Sequence, residues 1–218
     1  MNGLAAKRLE KTRGGRSVLR GASLQVERGA SLSLIGANGS GKTTLLELLA
    51  GLSRPSGGSI IWNGVDARKR PMTYRRCVGY AAHEPLIYPE WSGRQNLLFF
   101  ARLRGIDNSR RQVEQELSEA GLTPFAETPA RFYSRGMTQR LALARVFLRR
   151  SELLLLDEPF AGLDEESRLR LLDRLHRERE RGAALILATH DAELSRQACE
   201  REARLQDGAV VFSRGSRE

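Results

Sequence analysis

The first third of the chain alternates short apolar segments with glycine-rich turns, a pattern typical of β structure. Leu4–Lys11 and Val18–Val26 are predicted strands, and Gly14-Gly15 lies in the turn between them. Leu32–Ile35 is an apolar run interrupted only by Ser33, and it predicts a buried strand. These three segments place β structure ahead of the first helical pattern.

Two more short strands are predicted before residue 81. Ile60–Trp62 ends at Asn63-Gly64, a dipeptide that favours a tight hairpin turn. Ser53–Gly58 is rich in serine, proline and glycine and is predicted to be a loop. Cys77–Tyr80 reads as a further strand. Hairpins next to a buried strand of parallel type indicate a mixed sheet.

From residue 81 to about residue 150 the apolar positions take helical spacing. Ser92 and Gln95 form a possible capping box at the start of the first helix of this region. Asn108–Ala120 is predicted to be a second, charged helix. Ser134 opens a third helix with a stripe of apolar residues on one face. The residues of that stripe are Met137, Leu141, Ala144 and Leu148.

The last third returns to alternating strands and helices. Leu153–Leu156 is an all-leucine segment that predicts a fully buried strand. Asp164 is placed to cap a helix over Glu165–Arg181, and Ala183–Ala188 is another apolar strand. Asp207-Gly208 is predicted to turn a closing hairpin.

Together these elements predict an α/β fold with a mixed core sheet, an antiparallel β subdomain and a helical insert. We expect a single domain over residues 1–218. Residues 1–80 and 151–218 would form the core, and residues from about 85 to 150 the helical subdomain. No internal repeat or long linker divides the chain.

The amino-acid composition limits the classes of function that the chain is expected to have. Hydrophobic residues make up 40% and charged residues 28% of the 218 residues, an ordinary soluble composition. The net charge of +10 comes from arginines spread along the chain, without the aromatic-interleaved basic stripe of a nucleic-acid interface. We therefore expect no nucleic-acid partner. Neither a signal peptide nor an apolar run of about 20 residues is present, so the chain itself is not expected to enter a membrane.

The stretch between the third strand and the first helix carries the pattern G-x-x-x-x-G-K-[ST]. Its glycines allow backbone N–H groups to point inward at phosphates, and the following helix adds its positive N-terminal end. Lys42 is predicted to reach the β and γ phosphates, and the Thr43 hydroxyl to ligate Mg²⁺. A chance glycine-rich turn is the competing interpretation, and the strand-before, helix-after context argues against it. The candidate ATP contacts are Gly36, Ala37, Asn38, Gly39, Ser40, Gly41, Lys42, Thr43 and Thr44.

Polar residues that end two buried strands are the candidate catalytic groups. Asp157 and Glu158 follow the all-leucine strand, at the end of a parallel sheet where ligands bind. Asp157 is predicted to hold Mg²⁺, and Glu158 to act as general base for an attacking water. Their competing interpretation is an N-cap and first-turn acid for the next helix. His190 follows the next apolar strand and is a candidate γ-phosphate contact, although a lone histidine is more often structural.

The order GANGSGKTT, YAAHEP, YSRGMTQR, LLLLDEP, AGLD and TH resembles the nucleotide-binding subunits of ABC transporters, over essentially the whole chain. The resemblance implies that Gly36–Thr44 is Walker A and that Asp157 and Glu158 are the Walker B aspartate and the catalytic glutamate. It implies a D-loop at Ala161–Asp164 and a switch histidine at His190. Ser134 and Gly136 fall in the signature motif, which implies contacts to ATP held by a second subunit in a head-to-tail dimer. A free Ser134 hydroxyl and the Gly136 amide would form that anion site at a helix N-terminus.

The chain departs from the family pattern in three motifs: the signature, the Q-loop and the adenine contact. Arg135 and Met137 replace the first glycine and the glutamine of the signature. His83 replaces the Q-loop glutamine, so it inherits that residue's expected contact with the catalytic water or with Mg²⁺. Arg13 stands where the family has an aromatic residue on the adenine, and its guanidinium could stack instead. A solvated turn arginine is the competing interpretation for Arg13.

The segment His83–Gly105, followed by SRGMTQRLALAR, is similar to the ATP-binding subunit of the haem exporter of bacterial cytochrome c maturation. This resemblance implies a membrane-spanning partner subunit and a peripheral location on the cytoplasmic face of the inner membrane. Other export or multidrug ATPases share parts of the pattern. A non-transport ABC ATPase has only the net charge in its support, and a degenerate binding module is disfavoured by the intact motifs.

Overall fold

A computed structural model describes residues 2–212 of the chain and divides them into two compact units. The first unit contains the described residues up to Tyr80, Ser151–Glu158 and those from Leu172 onward. The second contains Ala81–Arg150 and Pro159–Leu171. The segment Pro159–Leu171 thus groups with the helices, whereas the sequence-based division placed it with the core.

Four strands of the first unit form an antiparallel sheet in the order β2-β1-β4-β5. They are β1 (Gly3–Arg13), β2 (Arg16–Glu27), β4 (Gly57–Trp62) and β5 (Val65–Asp66). Asn63 and Gly64 join β4 to β5 with φ values of 48° and 81°. Both lie in the left-handed region that a two-residue hairpin of this kind requires, so the hairpin prediction is confirmed.

Six further strands form a mixed sheet in the order β10-β9-β3-β8-β7-β6. Their bounds are β3 (Ser31–Ile35), β6 (Val78–Ala81), β7 (Leu153–Asp157), β8 (Ala184–Ala188), β9 (Arg201–Gln206) and β10 (Ala209–Phe212). Strands β9, β3, β8 and β7 run parallel, while β10 is antiparallel to β9. The predicted mixed sheet is confirmed, and the parallel strands bring the ends of β7 and β8 to one edge.

Helices connect the strands of the first unit and build most of the second. The helices are α1 (Lys42–Leu49), α2 (Pro71–Cys77), α3 (Gly93–Leu103), α4 (Ser109–Glu119), α5 (Arg135–Phe147), α6 (Glu165–Glu180) and α7 (Ala192–Ala198). Two short 3-10 helices lie at Thr123–Phe125 and Ala130–Phe132. The capping box is confirmed, because Ser92 accepts from the N–H of Gln95 and Gln95 in turn accepts from the N–H of Ser92.

Each unit has its own apolar core. In the first unit, leucines of β3, α1 and β7 are fully buried together with the apolar residues of β1 and β2. In the second, helices α3, α4 and α5 pack around Leu97, Leu117 and Leu141, each completely buried. The apolar periodicity of these segments accounts for both cores.

The loop predicted over Ser53–Gly58 extends two residues too far, because Gly57 and Gly58 belong to strand β4. Strand β4 begins at Gly57, opposite a bulge in β1 between Lys7 and Glu10. Gly58 has φ 84°, and a Cβ there would lie 2.3 Å from the carbonyl oxygen of Arg8. Only glycine fits at position 58, so a residue type that usually indicates a loop lies within a strand here.

Helices α2 and α7 were not predicted from the sequence. Helix α2 lies over residues without an apolar stripe, and its last residue, Cys77, was assigned to the following strand. Helix α7 is capped by Asp191, whose carboxylate accepts from the N–H groups of Glu193 and Leu194. Each helix has seven residues, too few for a helical period to stand out.

Over residues 2–212, none of the helices is both long enough and apolar enough to cross a bilayer.

Candidate functional site

The glycine-rich loop connects the end of β3 to the first residue of α1. Gly39 and Gly41 adopt φ values of 78° and 104°, in the region that a Cβ disfavours. The N–H of Ser40 donates to the carbonyl of Ala37 at 3.1 Å, which closes a tight turn. A Cβ on Gly36 would lie 2.7 Å from the carbonyl oxygen of Leu205, so the first glycine is needed for close packing. The loop is a preformed backbone cradle.

Lys42 is held inside this cradle. Its side chain is nearly buried, and its Nζ donates to the carbonyl oxygens of Gly36 at 2.8 Å and Ala37 at 3.2 Å. No carboxylate pairs with it in the described part of the chain. An uncompensated buried ammonium is costly, and a bound anion would offset that cost.

Two further features make the loop suitable for an anion. Helix α1 begins without a side-chain cap and has no acidic residue in its first turn, so its positive end is not neutralised. The Oγ of Ser40 is buried without a hydrogen-bond partner. A buried hydroxyl without a partner is uncommon, and a phosphate oxygen would satisfy it.

A cavity of about 700 Å³ adjoins the loop. Its walls are Gly36–Ser40, the start of β2 and the β9–β10 turn, and three of the side chains facing it are Arg16, Arg20 and Arg204. Lys42 and Thr43 do not line it. The basic wall adds to the positive field around the loop.

The side chains of Thr43 and Asp157 are hydrogen-bonded at the edge of the sheet where β3 and β7 end. The Oγ1 of Thr43, in the first turn of α1, donates to Oδ2 of Asp157 at 2.6 Å. Asp157 ends β7 and is only 2% exposed. Nearby, burial raises the pKa of Tyr80, and the charges of Asp157 and Glu47 raise it further, so its hydroxyl stays protonated. The two oxygens of Thr43 and Asp157 form a pair suited to a hard cation.

Glu158 follows Asp157 directly and lies against the end of β8. Its Oε1 lies 3.0 Å from Nδ1 of His190, and its Oε2 accepts from Oγ1 of Thr189 at 3.2 Å. Its N–H donates to the carbonyl of Ala188 at 2.8 Å. Its φ of 49° is unusual for a residue with a side chain, and such strain is concentrated at functional sites.

This arrangement excludes the capping interpretation of the two acids. The next helix, α6, begins only at Glu165, and Asp164 is its cap, accepting from the N–H of Ser167 at 2.8 Å. Thr189 was not among the predicted site residues, although it donates to Glu158. A hydroxyl residue directly before the candidate histidine was the available signal.

Ser134 and Gly136 lie in the second unit, at the start of α5. Ser134 is the N-cap, and its Oγ accepts from the N–H of Met137 at 3.2 Å. The hydroxyl predicted to be free is therefore already engaged, because it satisfies one of the unpaired amides of the helix. Gly136 is packed so closely that a Cβ would lie 2.8 Å from the carbonyl oxygen of Gly162.

The two departures from the family pattern in the nucleotide site lie on the surface. His83 is exposed, in the loop that follows β6. The guanidinium of Arg13 pairs with the carboxylate of Glu47 on α1. Stacking of Arg13 on a base would require it to leave this partner, and that role stays a prediction.

Comparison with known proteins shows the family and the fold of this chain. The model of the family described as "ABC transporter" matches residues 19–161. The cytochrome c biogenesis ATP-binding export protein CcmA of Salmonella typhi is 38% identical over 86% of this chain and 89% of its own length. A solved ATP-binding subunit of an ABC transporter has a TM-score of 0.88 and 31% identity, covering 96% of this chain and 88% of its own.

A second solved structure has the same fold at lower identity. It is a dimeric ATP-binding cassette in a post-hydrolysis state with ADP and Pi, with a TM-score of 0.87 and 23% identity over 97% of this chain and 99% of its own. The resemblance drawn from the motifs is thus confirmed at the level of sequence and fold. The chain belongs to the ABC transporter family, as one of its ATP-binding subunits.

Proposed function

We propose that Gly36–Thr44 binds the phosphates of ATP and that Lys42 contacts the β and γ groups. The support is the loop itself: Gly39 and Gly41 adopt positive φ, α1 begins without a side-chain cap, and the ammonium of Lys42 donates to the carbonyls of Gly36 and Ala37. Phosphate oxygens would replace those carbonyls as partners of Lys42, which strengthens the bonds because both groups are charged.

Thr43 and Asp157 are the proposed ligands of Mg²⁺. The residues fit this cation, because a hydroxyl and a buried carboxylate stand 2.6 Å apart and Mg²⁺ prefers oxygen ligands. When bound, the cation would neutralise charge on the phosphates. His83 offers nitrogen, which Mg²⁺ favours less, so we assign it to a water beside the nucleotide rather than to the metal.

The contact between Glu158 and His190 is the observation that carries the hydrolytic proposal. Glu158 accepts a proton from a water whose oxygen attacks the γ-phosphorus. The bond from the γ-phosphorus to the bridging oxygen breaks, and ADP and inorganic phosphate leave. His190, 3.0 Å from Glu158, and Thr189 hold the carboxylate in place, and the exposed imidazole of His190 is available to the γ-phosphate.

Replacing Glu158 with glutamine tests this assignment. Glu158→Gln keeps the shape and removes the base, so ATP should bind as in the wild type while hydrolysis falls by roughly a hundredfold or more. The matched control is Glu180→Gln, at an exposed position at the end of α6. Hydrolysis by Glu158→Gln at the rate of the control would contradict the role of Glu158.

The active form is proposed to be a head-to-tail dimer in which Ser134 and Gly136 contact the ATP of the other subunit. The dimeric cassette with ADP and Pi shares this fold, which supports the proposal. Because Ser134 already caps α5, its hydroxyl would offer its proton to the phosphate. Glu158→Gln should accumulate as a dimer with ATP and Mg²⁺, and size-exclusion chromatography with light scattering measures it. A monomer under all conditions would contradict the dimer.

The membrane-spanning partner is proposed to dock on the segment His83–Trp91. Leu86, Tyr88 and Trp91 are exposed there, and the rings of Tyr88 and Trp91 stack with centroids 4.4 Å apart. Exposed aromatic residues of this kind are enriched at protein interfaces. The chain should then be found at the cytoplasmic face of the inner membrane only with its partner. Salt-resistant association with membranes that lack the partner would contradict docking.

Haem export for cytochrome c biogenesis is the proposed transport function. Its support is the name of the relatives together with the sequence of His83–Gly105. Deletion of this protein should abolish covalent haem in c-type cytochromes, and the wild type but not Glu158→Gln should restore it. Haem staining of membrane and periplasmic fractions measures the outcome, and normal cytochromes in the deletion strain would refute this cargo.

A further inference from the structure

Arg135 is the first residue of α5, where the family pattern has a glycine, and its side chain lies beside Gly162. A Cβ placed on Gly162 would lie 3.0 Å from Cγ of Arg135 and 3.1 Å from its Cδ. The φ of Gly162 is 74°, which favours glycine, and a Cβ there would also crowd the arginine stem. The aliphatic part of Arg135 is thus in direct contact with this turn.

Two more contacts hold the same turn against α5. The carbonyl oxygen of Gly162 approaches Gly136 so closely that a Cβ there would lie 2.8 Å away. The Nε2 of buried Gln139 donates to the carbonyl oxygen of Pro159 at 3.0 Å. Arg135 and Gln139 are four residues apart and therefore share a helix face. This helix face therefore contacts the turn at Pro159 and at Gly162.

The charge of Arg135 has no partner in this arrangement. The residue is exposed, and none of the ion pairs among the described residues includes it. Arginine commonly packs its stem on a surface while the guanidinium remains in water. The contact with Gly162 involves the stem, which is the part a glycine at position 135 would lack.

We propose that Arg135 is a positioning residue whose stem fixes the Pro159–Gly162 turn on the first turns of α5. The turn begins at Pro159, which is covalently bonded to Glu158, so a loosened turn would leave the backbone next to the candidate base less restrained. Small displacements of a reacting group reduce catalysis strongly. This catalytic consequence rests on the proposed ATPase function, whereas the positioning itself does not.

The test separates the stem from the charge. Arg135→Met keeps a long stem without charge, Arg135→Ala removes both, and Arg110→Ala is the control at an exposed position of α4. Hydrogen exchange is followed at the amide of Leu163, which donates to the carbonyl of Phe160 at 3.2 Å. Steady-state kcat and KM for ATP are measured on the same proteins, and thermal unfolding verifies that each is folded.

Arg135→Ala should exchange the Leu163 amide several-fold faster and lose roughly tenfold in kcat with little change in KM. Arg135→Met should match the wild type in both. Unchanged exchange in Arg135→Ala would overturn the proposal, and so would Arg135→Met as impaired as Arg135→Ala, because the charge would then be responsible. If exchange responds as expected but no protein hydrolyses ATP, the positioning role stands and the ATPase proposal fails.

Discussion

The Oγ1 of Thr43 donates a 2.6 Å hydrogen bond to Oδ2 of Asp157, although 114 residues separate them in the chain. The sheet explains the contact, because β8 lies between β3 and β7 and all three run parallel. The loop after β3 and the end of β7 therefore meet at one edge. A cation ligated by both oxygens would replace this hydrogen bond, since the hydroxyl would then offer a lone pair.

Asp157→Asn should weaken the dependence of ATP binding on Mg²⁺. Asparagine keeps the size of the side chain but loses the negative charge that faces the cation. We expect the Mg²⁺ concentration at half-maximal binding of mant-ATP to rise by roughly tenfold or more, the scale of losses at metal sites. Asp107→Asn, at an exposed position before α4, is the control. An equal Mg²⁺ midpoint for both variants would remove Asp157 from the metal site.

Lys42→Ala should abolish most of the affinity for ATP. A hydrogen bond to a charged group contributes about 1.5–3 kcal/mol, so the Kd for mant-ATP should rise roughly tenfold or more. The control is Lys69→Ala, because Lys69 is exposed and remote in sequence from the loop. Titration by fluorescence measures both. Wild-type affinity in Lys42→Ala would rule out the proposed phosphate contact.

Elements that depend on local chemistry were predictable from the sequence. The hairpin at Asp207-Gly208 follows from a dipeptide that readily takes positive φ, and the two residues have φ values of 52° and 81°. Position Gly58 was not predictable, because its need for glycine comes from the β1 bulge at Arg8, a tertiary contact. Helices α2 and α7 are too short for a periodic signal.

Some residues of the candidate site were likewise predictable from the sequence and others were not. The loop motif, Asp157 and His190 are recognisable because each sits next to an apolar strand of its own. The packing of Arg135 on Gly162 depends on how α5 meets a turn that is distant in the sequence, and it has no local pattern. Sequence alone therefore indicates which groups do chemistry better than it indicates what positions them.

Arg145→Met should leave the protein as stable as the wild type or make it more stable. Arg145 is 7% exposed, its Nε has no hydrogen-bond partner, and burial together with the charge of Arg104 lowers its pKa to about 10. Methionine keeps the contact with Phe100, whose ring centroid lies 5.0 Å from the guanidinium carbon. Replacing a poorly compensated buried charge is often neutral or stabilising.

Thermal unfolding at pH 7 measures the effect of Arg145→Met, and Arg150→Met at an exposed position serves as control. A change of 1 kcal/mol corresponds to roughly 2–4 °C in a chain of this size. A Tm lower than that of the control by more than this amount would show that the contact of the guanidinium with Phe100 outweighs its desolvation.

The cap of α6 should make stability depend on pH at the acidic end. The N–H of Ser167 donates to Asp164 at 2.8 Å, and the hydrogen bonds from Ser167 lower the pKa of Asp164 below its ordinary value. A carboxyl with a lowered pKa in the folded state contributes stability above its unfolded pKa of about 3.9, and that contribution is lost as the pH falls toward the folded pKa.

Asp164→Ala should therefore lower Tm at pH 7, and the Tm difference from wild type should shrink below about pH 4. Asp164→Asn, which also caps well, should lose less at pH 7, and because neither variant titrates at this position, the Tm difference between Asp164→Asn and Asp164→Ala should not depend on pH. A Tm difference between wild type and Asp164→Ala that stays constant from pH 7 to pH 3 would show that the carboxylate is not what caps the helix.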